Sequence, residues 1–306
     1  MKTILVENQF GHGAKRSNPV SHWIRNHRRE QAGKATTPPN WAAGYDSLSL
    51  ISPVTIKNQF QSFSCGGQAA SYALEIVEKL ANNQEGAISA KSVYAPIAVS
   101  GGGTYVTSLQ NQIKAAGASL EATVPSYRPN GTTDEPFMTD QTALNLKDAL
   151  TRSGYTIVNV PITMDGIASA IQQYGAVIWE ISGQNGQVPS WTSATPQPPS
   201  TSNPNEIWNH FMCCVGFGQP PGYQRIKALQ SWGTAVGENG IQYFTANYIN
   251  SGYVRDVFAF YKTVVAPIDM NASNTPNYWW MFFANLKAYF TGSPLPYPNV
   301  PLGSAL

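Results

Sequence analysis

The sequence predicts an α+β fold in two lobes, with helices in the first half of the chain and strands in the second. Apolar residues recur at helical spacing over 65–80 and around 105–116, whereas strand-like runs begin near residue 155. The chain has 306 residues, 42% of them hydrophobic, which is enough for one large domain or two lobes with a sizeable core. Helices and strands segregated along the chain are typical of the α+β class.

The helix over 65–80 has a recognisable start, because Ser64 is a suitable N-cap residue. Gly66 and Gly67 in its first turn each lower helix propensity by about 1 kcal/mol relative to Ala. We therefore expect something other than helix stability to select these two glycines. Its apolar face is formed by Ala69, Tyr72, Ala73, Ile76, Val77 and Leu80.

The second half of the chain changes to a pattern of short apolar runs. A short helix is predicted over 164–174, and residues 183–206, rich in Pro, Ser, Thr, Gly and Asn, predict a long surface loop. The strand candidates are 155–160, 176–181, 211–217, 225–232, 240–244 and 257–264.

Charge divides the chain at Pro38 and Pro39. The formal net charge is +2, and only 12% of residues are charged, where about 25% is usual. Residues 1–37 hold seven basic and two acidic residues, so an arm of +5 precedes a body of −3. The regions we expect are a basic arm or short pro-segment over 1–37, a helical lobe over 38–150, a β lobe over 151–264 and a Pro- and aromatic-rich extension over 265–306.

Composition argues against several classes of function. Three cysteines, two of them adjacent at 213–214, do not suggest a disulfide framework; we expect the adjacent pair to be strand packing. Four histidines and no Cys-x-x-Cys motif give little support for zinc, so neither a metal nor another cofactor is expected. The overall charge does not predict a nucleic-acid partner, except through the basic arm.

The sequence also bears on location. The longest apolar stretch, 278–290, has about 13 residues, whereas a membrane-spanning helix takes about 20. The first residues lack the apolar region of a secretory signal. We therefore expect a soluble protein with no membrane span, either intracellular or virion-associated.

Three segments carry the residues of a nucleophilic site. Gln59 and Cys65 lie immediately before and at the start of the helix, His210 opens a strand, and Gln230 begins the run Gln-Ser-Trp-Gly-Thr. A thiol at a helix N-terminus faces unpaired backbone N–H groups and the positive end of the helix dipole, which stabilise the thiolate. A thiolate nucleophile needs a base or imidazolium partner, and a Cys in one lobe with a His in the other fits the two-lobe prediction.

These segments resemble the papain-like cysteine peptidases (the C1 family). That family has a Gln six residues before its Cys, as Gln59 precedes Cys65 here. Its His opens a strand ending in Val-Gly-Tyr-Gly, and residues 209–218 here read Asn-His-Phe-Met-Cys-Cys-Val-Gly-Phe-Gly. It then has Asn-Ser-Trp-Gly-Thr and Trp-Gly-Glu-Asn-Gly, and residues 230–240 here read Gln-Ser-Trp-Gly-Thr-Ala-Val-Gly-Glu-Asn-Gly. With Gly102 and Gly103 matching the family's Gly-Gly, the resemblance covers about 38–264.

The resemblance implies a papain-like two-lobe fold, a helical lobe plus an antiparallel β-barrel-like lobe, with the active site in the cleft between them. It implies that Cys65 attacks the scissile carbonyl, that His210 forms an ion pair with Cys65 and protonates the leaving amine, and that Gln230 orients His210. The Gln59 amide and the Cys65 backbone N–H would form the oxyanion hole.

The resemblance also implies which residues contact the substrate. Two glycines would expose their backbone to an extended peptide, and a tryptophan would shield the His–amide hydrogen bond from water. The implied substrate-binding set is Gly102, Gly103, Ser64, Asn209 and Trp232.

Two positions depart from the family's pattern: Gln230 stands in place of its Asn, and Gly66 in place of the Trp after its Cys. The function implied by the resemblance is hydrolysis of peptide bonds through a Cys–His thiolate–imidazolium pair and a thioester acyl-enzyme. The alternative is a papain-fold structural or assembly protein with weak or no catalysis, such as a component of a virus or phage particle.

The two termini admit further interpretations. Residues 1–37 are a mobile solvated terminus, a short pro-segment covering the cleft, or an anchor to an acidic partner or nucleic acid. Exposed aromatic clusters usually mark contact surfaces, so we expect 278–290 to pack on protein. Both segments are candidate surfaces for assembly partners, beside a peptide or protein substrate.

Overall fold

The fold is described from a computed structural model of the chain. The residues it describes are 13–15, 38–50, 55–82, 86–201, 203, 205–218 and 224–262. Most of the basic arm and all of the segment 278–290 lie outside these residues, so the expectations about the extension and its aromatic cluster remain predictions.

The first part of the chain is helical, as the sequence predicts. A helix begins at Cys65, and the helix predicted over 164–174 is found at that position. The helices are α1 Cys65–Asn82, α2 Ala90–Tyr94, α3 Val106–Ala115, α4 Glu135–Thr139, α5 Leu146–Leu150, α6 Met164–Tyr174, α7 Val188–Trp191 and α8 Ala246–Ile249.

The strands form one antiparallel sheet in the order β2-β7-β3-β4-β5-β6, with β1 paired to β4 beside this path. Within the described residues the path is open, because its end strands β2 and β6 do not pair with each other. The strands are β1 Tyr45–Asp46, β2 Tyr155–Asn159, β3 Val177–Gln184, β4 Ile207–Gly218, β5 Arg225–Leu229, β6 Ile241–Phe244 and β7 Val254–Lys262.

Two strands are longer than their sequence pattern indicates. Strand β3 continues to Gln184 into the region predicted as a loop, and β4 begins at Ile207, four residues before its apolar run. Strand β3 pairs with β4 over all of its length, with Gln184 opposite Ile207, so pairing brings polar residues into the sheet. The remaining loop also contains helix α7.

Helix α1 packs its apolar face against the sheet and against α2. Tyr72, Ala73 and Ile76 are almost completely buried in a cluster that includes residues of β4 and β7. A Cβ on Gly67 would lie 2.5 Å from the Ala90 carbonyl oxygen, and one on Gly66 would lie 2.7 Å from the Thr104 methyl group. Close packing of the first turn therefore explains the two glycines that helix propensity disfavours.

Strand β1 ties the region before α1 to the sheet. Tyr45 pairs with Phe217 and Asp46 with Gly216, although the sequence places residues 38–150 with the helices. An isolated bridge between Asn58 and Trp232 makes a second connection, directly beside Gln59. The start of α1 is thus held against β4 and against the segment after β5, and the cleft lies at this junction. None of the described helices is long and apolar enough to cross a membrane.

Candidate active site

Cys65 is the first residue of α1, and its side chain is fully buried. Backbone N–H groups of Phe211, Gly13 and Gly66 donate hydrogen bonds to its sulfur. Burial is the main cause that raises the pKa of Cys65 to about 12, with a smaller contribution from the nearby Glu180 carboxylate, against the lowering effect of these hydrogen bonds. The sulfur is therefore a neutral thiol at pH 7 in this state, although the helix N-terminus by itself favours the thiolate.

The segment Gly13–Lys15 of the basic arm covers this sulfur. The Thr104 backbone N–H donates to the Gly13 carbonyl at 2.8 Å, and the Lys15 N–H donates to the Thr104 carbonyl at 2.9 Å. Ala14 forms a parallel bridge with Thr104. Residues 13–15 thus lie in the cleft as an extended peptide, in contact with Cys65 through Gly13.

His210 is fully buried on β4 and is held by a chain of amides. Its Nε2 lies 2.7 Å from Oε1 of Gln230. The Gln230 Nε2 donates to Oε1 of Gln242 at 3.0 Å, and the Gln242 Nε2 donates to the backbone carbonyls of Trp191 and Ser193. The Gln230 side chain, one methylene longer than that of Asn, therefore places its amide oxygen within hydrogen-bond distance of the His210 ring.

The hydrogen bonds of Gln242, the last amide in this series, determine which nitrogen of the His210 ring carries hydrogen. Carbonyl groups only accept, so the Gln242 amide must turn its NH₂ toward them and its oxygen toward Gln230. Gln230 then presents its oxygen to His210, where it also accepts the Ser231 N–H at 2.9 Å. His210 consequently carries its hydrogen on Nε2, and in the neutral ring Nδ1 is the basic nitrogen.

Three tryptophans surround the His–Gln pair. The Trp232 ring centroid lies 4.9 Å from that of His210, and those of Trp191 and Trp208 lie 6.2 and 6.4 Å away. All three are almost completely buried. Trp232 is therefore the nearest of these three rings to His210.

Gln59 is fully buried and links the segment before α1 to the segment after β5. Its backbone N–H donates to the Ser231 carbonyl at 2.7 Å, and its Oε1 accepts from the Ser231 hydroxyl at 2.6 Å. Its Nε2 donates to the Ser62 carbonyl at 2.9 Å. The oxygen of the Gln59 amide is thus bound to Ser231 and its NH₂ group to the Ser62 carbonyl, so both ends of the amide are fixed.

The glycine segment forms the cleft wall, but the residue that bonds the bound peptide is Thr104. Gly102 and Gly103 have φ of 79° and 86°, and a Cβ on Gly103 would lie 2.2 Å from the Gly13 carbonyl oxygen. The glycines therefore permit close approach, whereas the hydrogen bonds come from the next residue. The Gly103 N–H donates to the Tyr94 hydroxyl at 2.7 Å.

Two other residues of the implied substrate-binding set bond within the protein. The Ser64 hydroxyl lies 2.7 Å from that of Ser62, and the Asn209 Oδ1 accepts from the Ser182 hydroxyl at 2.8 Å. Cys213 and Cys214 are buried free thiols on β4, as expected for strand packing. No group of three or more His, Cys, Asp or Glu among the described residues is placed to hold a metal ion.

Four residues of the site were not anticipated from the sequence: Thr104, Glu180, Phe211 and Gln242. Period-two alternation places Gln242 on the same buried face of β6 as Phe244, and a polar residue at such a position was a usable signal. Glu180 and Phe211 face each other across β3 and β4. Their proximity to Cys65 depends on how α1 packs on the sheet, which no local pattern reveals.

Comparisons with known proteins agree with this geometry. The model of the papain family cysteine protease matches residues 46–260. Among solved structures, xylellain, a cysteine protease from Xylella fastidiosa, is similar with a TM-score of 0.61 and 17% identity, over 84% of this chain and 97% of that one. Bromelain from Ananas comosus, in complex with the E64 inhibitor, has a TM-score of 0.55 and 18% identity, over 72% and 99%.

A third similar structure is the ragweed pollen allergen Amb a 11, a cysteine protease in its proform. It has a TM-score of 0.60 and 18% identity, over 86% of this chain and 79% of that one. A search of curated protein sequences found no match. The family match spans more than half of the chain and contains the Cys65, His210 and Gln230 segments. The chain therefore belongs to the papain family of cysteine proteases.

Proposed function

We propose that this protein is a cysteine endopeptidase that hydrolyses peptide bonds through Cys65 and His210. The observation that carries the proposal is the hydrogen bond of 2.7 Å between His210 Nε2 and Gln230 Oε1, which leaves Nδ1 as the basic nitrogen. The N–H of Phe211, next to His210 in the chain, donates to the Cys65 sulfur and so brings nucleophile and base elements together.

In the proposed reaction the proton of the Cys65 thiol passes to His210 Nδ1, and the thiolate attacks the scissile carbonyl carbon. The carbon–nitrogen bond then breaks as His210 returns the proton to the leaving amine, which leaves a thioester on Cys65. Water, deprotonated by His210, attacks the thioester carbonyl and releases the carboxylic acid product and the thiol. Hydrogen bonds from the Gln59 NH₂ and the Cys65 N–H would stabilise the oxyanion in both steps.

We further propose that the arm, residues 1–37, is a short pro-segment that covers the cleft. The hydrogen bonds of Gly13 and Lys15 to Thr104 support this interpretation, and Amb a 11 is a similar protease whose structure is of a proform. If the protease removes its own arm, mass spectrometry should find cleavage between about Lys34 and Trp41 in the wild type but not in Cys65→Ala. An intact wild-type mass would reject autocleavage.

The peptidase proposal is tested with E64, the inhibitor present in the bromelain structure. We expect E64 to label Cys65, mapped by mass spectrometry after the arm is displaced or removed, and Cys65→Ala to abolish hydrolysis of a mixed peptide pool. Cys213→Ala is the matched control, because Cys213 is also fully buried but lies in the strand packing. Hydrolysis that survives Cys65→Ala would overturn the proposal.

The alternative, a papain-fold assembly protein with weak or no catalysis, makes the opposite prediction: no label and no hydrolysis, even with the cleft open. One of the departures that motivated it was Gln230, yet this residue makes the hydrogen bond expected of the family's Asn. For this reason the peptidase is the first candidate.

A further inference from the structure

The fit of residues 13 and 14 in the cleft depends on the size of each side chain. Gly13 is buried against the nucleophile: a Cβ built on it would lie 1.7 Å from the Phe63 carbonyl oxygen and 3.0 Å from the Cys65 sulfur. The first obstacle is backbone, which does not move aside as a flexible side chain does. The lack of space is by itself sufficient to require glycine here.

The next residue, Ala14, occupies a small apolar pocket. It is 6% exposed and belongs to the hydrophobic cluster that contains Cys65, Leu109 and Phe211. A Cβ on Gly66, in the same wall, would lie 2.7 Å from the Thr104 methyl group, 3.3 Å from the Phe211 ring and 3.6 Å from a Leu109 methyl group. Three side chains therefore converge at the start of α1, which leaves the pocket little depth.

The Phe211 ring lies at the start of α1, 3.3 Å from a Cβ built on Gly66, in the same place as the methyl group of Thr104, the residue that pairs with Ala14. The backbone of Phe211 is fixed by β4, between Cys65 and His210, and its ring is 1% exposed. A large side chain in the pocket would have to displace this ring from a closely packed cluster, which costs free energy because packed interiors have no spare volume. Lys15, by contrast, leaves the pocket: its Nζ lies 3.5 Å from the Gly101 carbonyl and 6.0 Å from the Phe63 ring centroid.

We propose that the cleft selects peptides with glycine against Cys65 and, next to it, a side chain no larger than alanine, a limit set by Phe211. Gly13 and Ala14 of the chain itself have these two properties and occupy the cleft. The substrate class rests on the proposed peptidase function, whereas the pocket's size limit is measurable without catalysis.

The experiment uses the full chain and measures how fast iodoacetamide alkylates Cys65, with the site identified by peptide mapping. Ala14→Leu is too large for the pocket, so the arm should leave the cleft and alkylation should accelerate at least 10-fold. Ala14→Gly needs no more room than alanine and should keep the slow alkylation of the wild type. Alkylation of Ala14→Leu at the wild-type rate would overturn the proposal.

A second variant tests whether Phe211 sets the limit on side-chain size at position 14. In Ala14→Leu combined with Phe211→Ala, the leucine fills the space of the ring, so alkylation should slow at least 5-fold relative to Ala14→Leu alone. Phe217→Ala is the matched control: Phe217 is a buried phenylalanine of the same strand that packs on Trp41, with ring centroids 5.1 Å apart, and it should give no rescue. If Phe211→Ala does not fold, Phe211→Leu with Ala14→Val makes the same comparison.

Peptide hydrolysis separates this proposal from the proposed function. With the arm displaced by Ala14→Leu, kcat/KM for a peptide carrying Gly-Ala should exceed that for its Gly-Leu analogue at least 10-fold, and Phe211→Ala should reverse the order. No hydrolysis of any peptide, with the alkylation pattern as expected, would reject the peptidase and retain the pocket. Equal hydrolysis of both peptides would reject the size limit and retain the peptidase.

Discussion

The His210 wall and the Cys65 wall of the cleft differ in what surrounds their reacting atoms. On the first, one chain of amides fixes His210, and three buried tryptophans lie around its ring. On the second, the sulfur receives N–H donors from three residues but is fully buried, and its pKa is raised by that burial. The His210 ring is thus fixed in orientation in the covered state, whereas Cys65 is held as a thiol, so we expect uncovering the cleft to change Cys65 more than His210.

Removal of the base should have the largest effect. His210→Ala deletes the group proposed to accept the thiol proton and to protonate the leaving amine, so kcat should fall about 10²- to 10⁴-fold. Steady-state hydrolysis of a peptide measures this, with a thermal melt to show that the fold persists. Full activity of His210→Ala would contradict the proposal that Cys65 and His210 act together in catalysis.

Uncovering the sulfur should change the pH dependence of its reactivity. A Cβ at residue 13 collides with the Phe63 carbonyl, so Gly13→Ala should expose Cys65 to water and lower its pKa from the covered value of about 12. The thiolate then forms at lower pH, and alkylation at pH 7.5 should be about 100-fold faster than in the wild type.

The measurement is the alkylation rate from pH 6 to 11. Gly218→Ala serves as control, since the atom nearest to its added Cβ, Gly44 Cα, is at an ordinary contact distance of 3.6 Å. An unchanged pH midpoint in Gly13→Ala would contradict the role of the arm in raising the pKa.

Loss of the first amide should have a smaller effect than loss of the ring. Gln230→Ala removes the acceptor of the His210 Nε2 hydrogen, and a hydrogen bond to a charged group contributes about 1.5–3 kcal/mol. Because 1.4 kcal/mol corresponds to a factor of ten, kcat should fall about 10- to 100-fold with KM little changed. Gln230→Asn, which keeps the amide, should retain more activity than Gln230→Ala, and the reverse order would indicate that only the longer side chain reaches the ring.

The smallest effect is expected from the second amide. Gln242 touches neither the sulfur nor the ring and acts by fixing the direction of the Gln230 amide. Gln242→Leu should therefore lower kcat less than Gln230→Ala and broaden the acidic limb of the pH profile, because the His210 tautomer is no longer fixed. A loss of stability without any change in the pH profile would show a purely structural role.

The sequence was sufficient for much of the fold and for the polar residues of the site. Helix α1 follows from its apolar spacing, and the Cys, His and Gln segments follow from short motifs with characteristic neighbours. The occupant of the cleft and the residue that bonds it were beyond such reasoning. Thr104 acts through its backbone, and Ala14 is an ordinary small residue in a polar arm, so neither has a side chain that indicates its role.

The state of Cys65 was also beyond local reasoning. The position at a helix N-terminus correctly indicates nearby N–H donors, but the pKa depends on the balance between these donors and burial. Residues 13–15, some fifty residues earlier in the chain, contribute to this burial. Only the three-dimensional arrangement shows that the covered sulfur is protonated.

A side chain at position 66 would need the space that the Phe211 ring occupies at the start of α1, and this restricts how the cleft can be engineered. The bulk that the family places on the helix, as a Trp after the Cys, is here supplied from the strand that carries His210. A Trp introduced at position 66 would collide with Thr104 and Phe211. It can be accommodated only if Phe211 is replaced by a smaller residue at the same time. Variant libraries of this protease should therefore randomise the two positions jointly, because screening either one alone samples mostly chains that cannot pack.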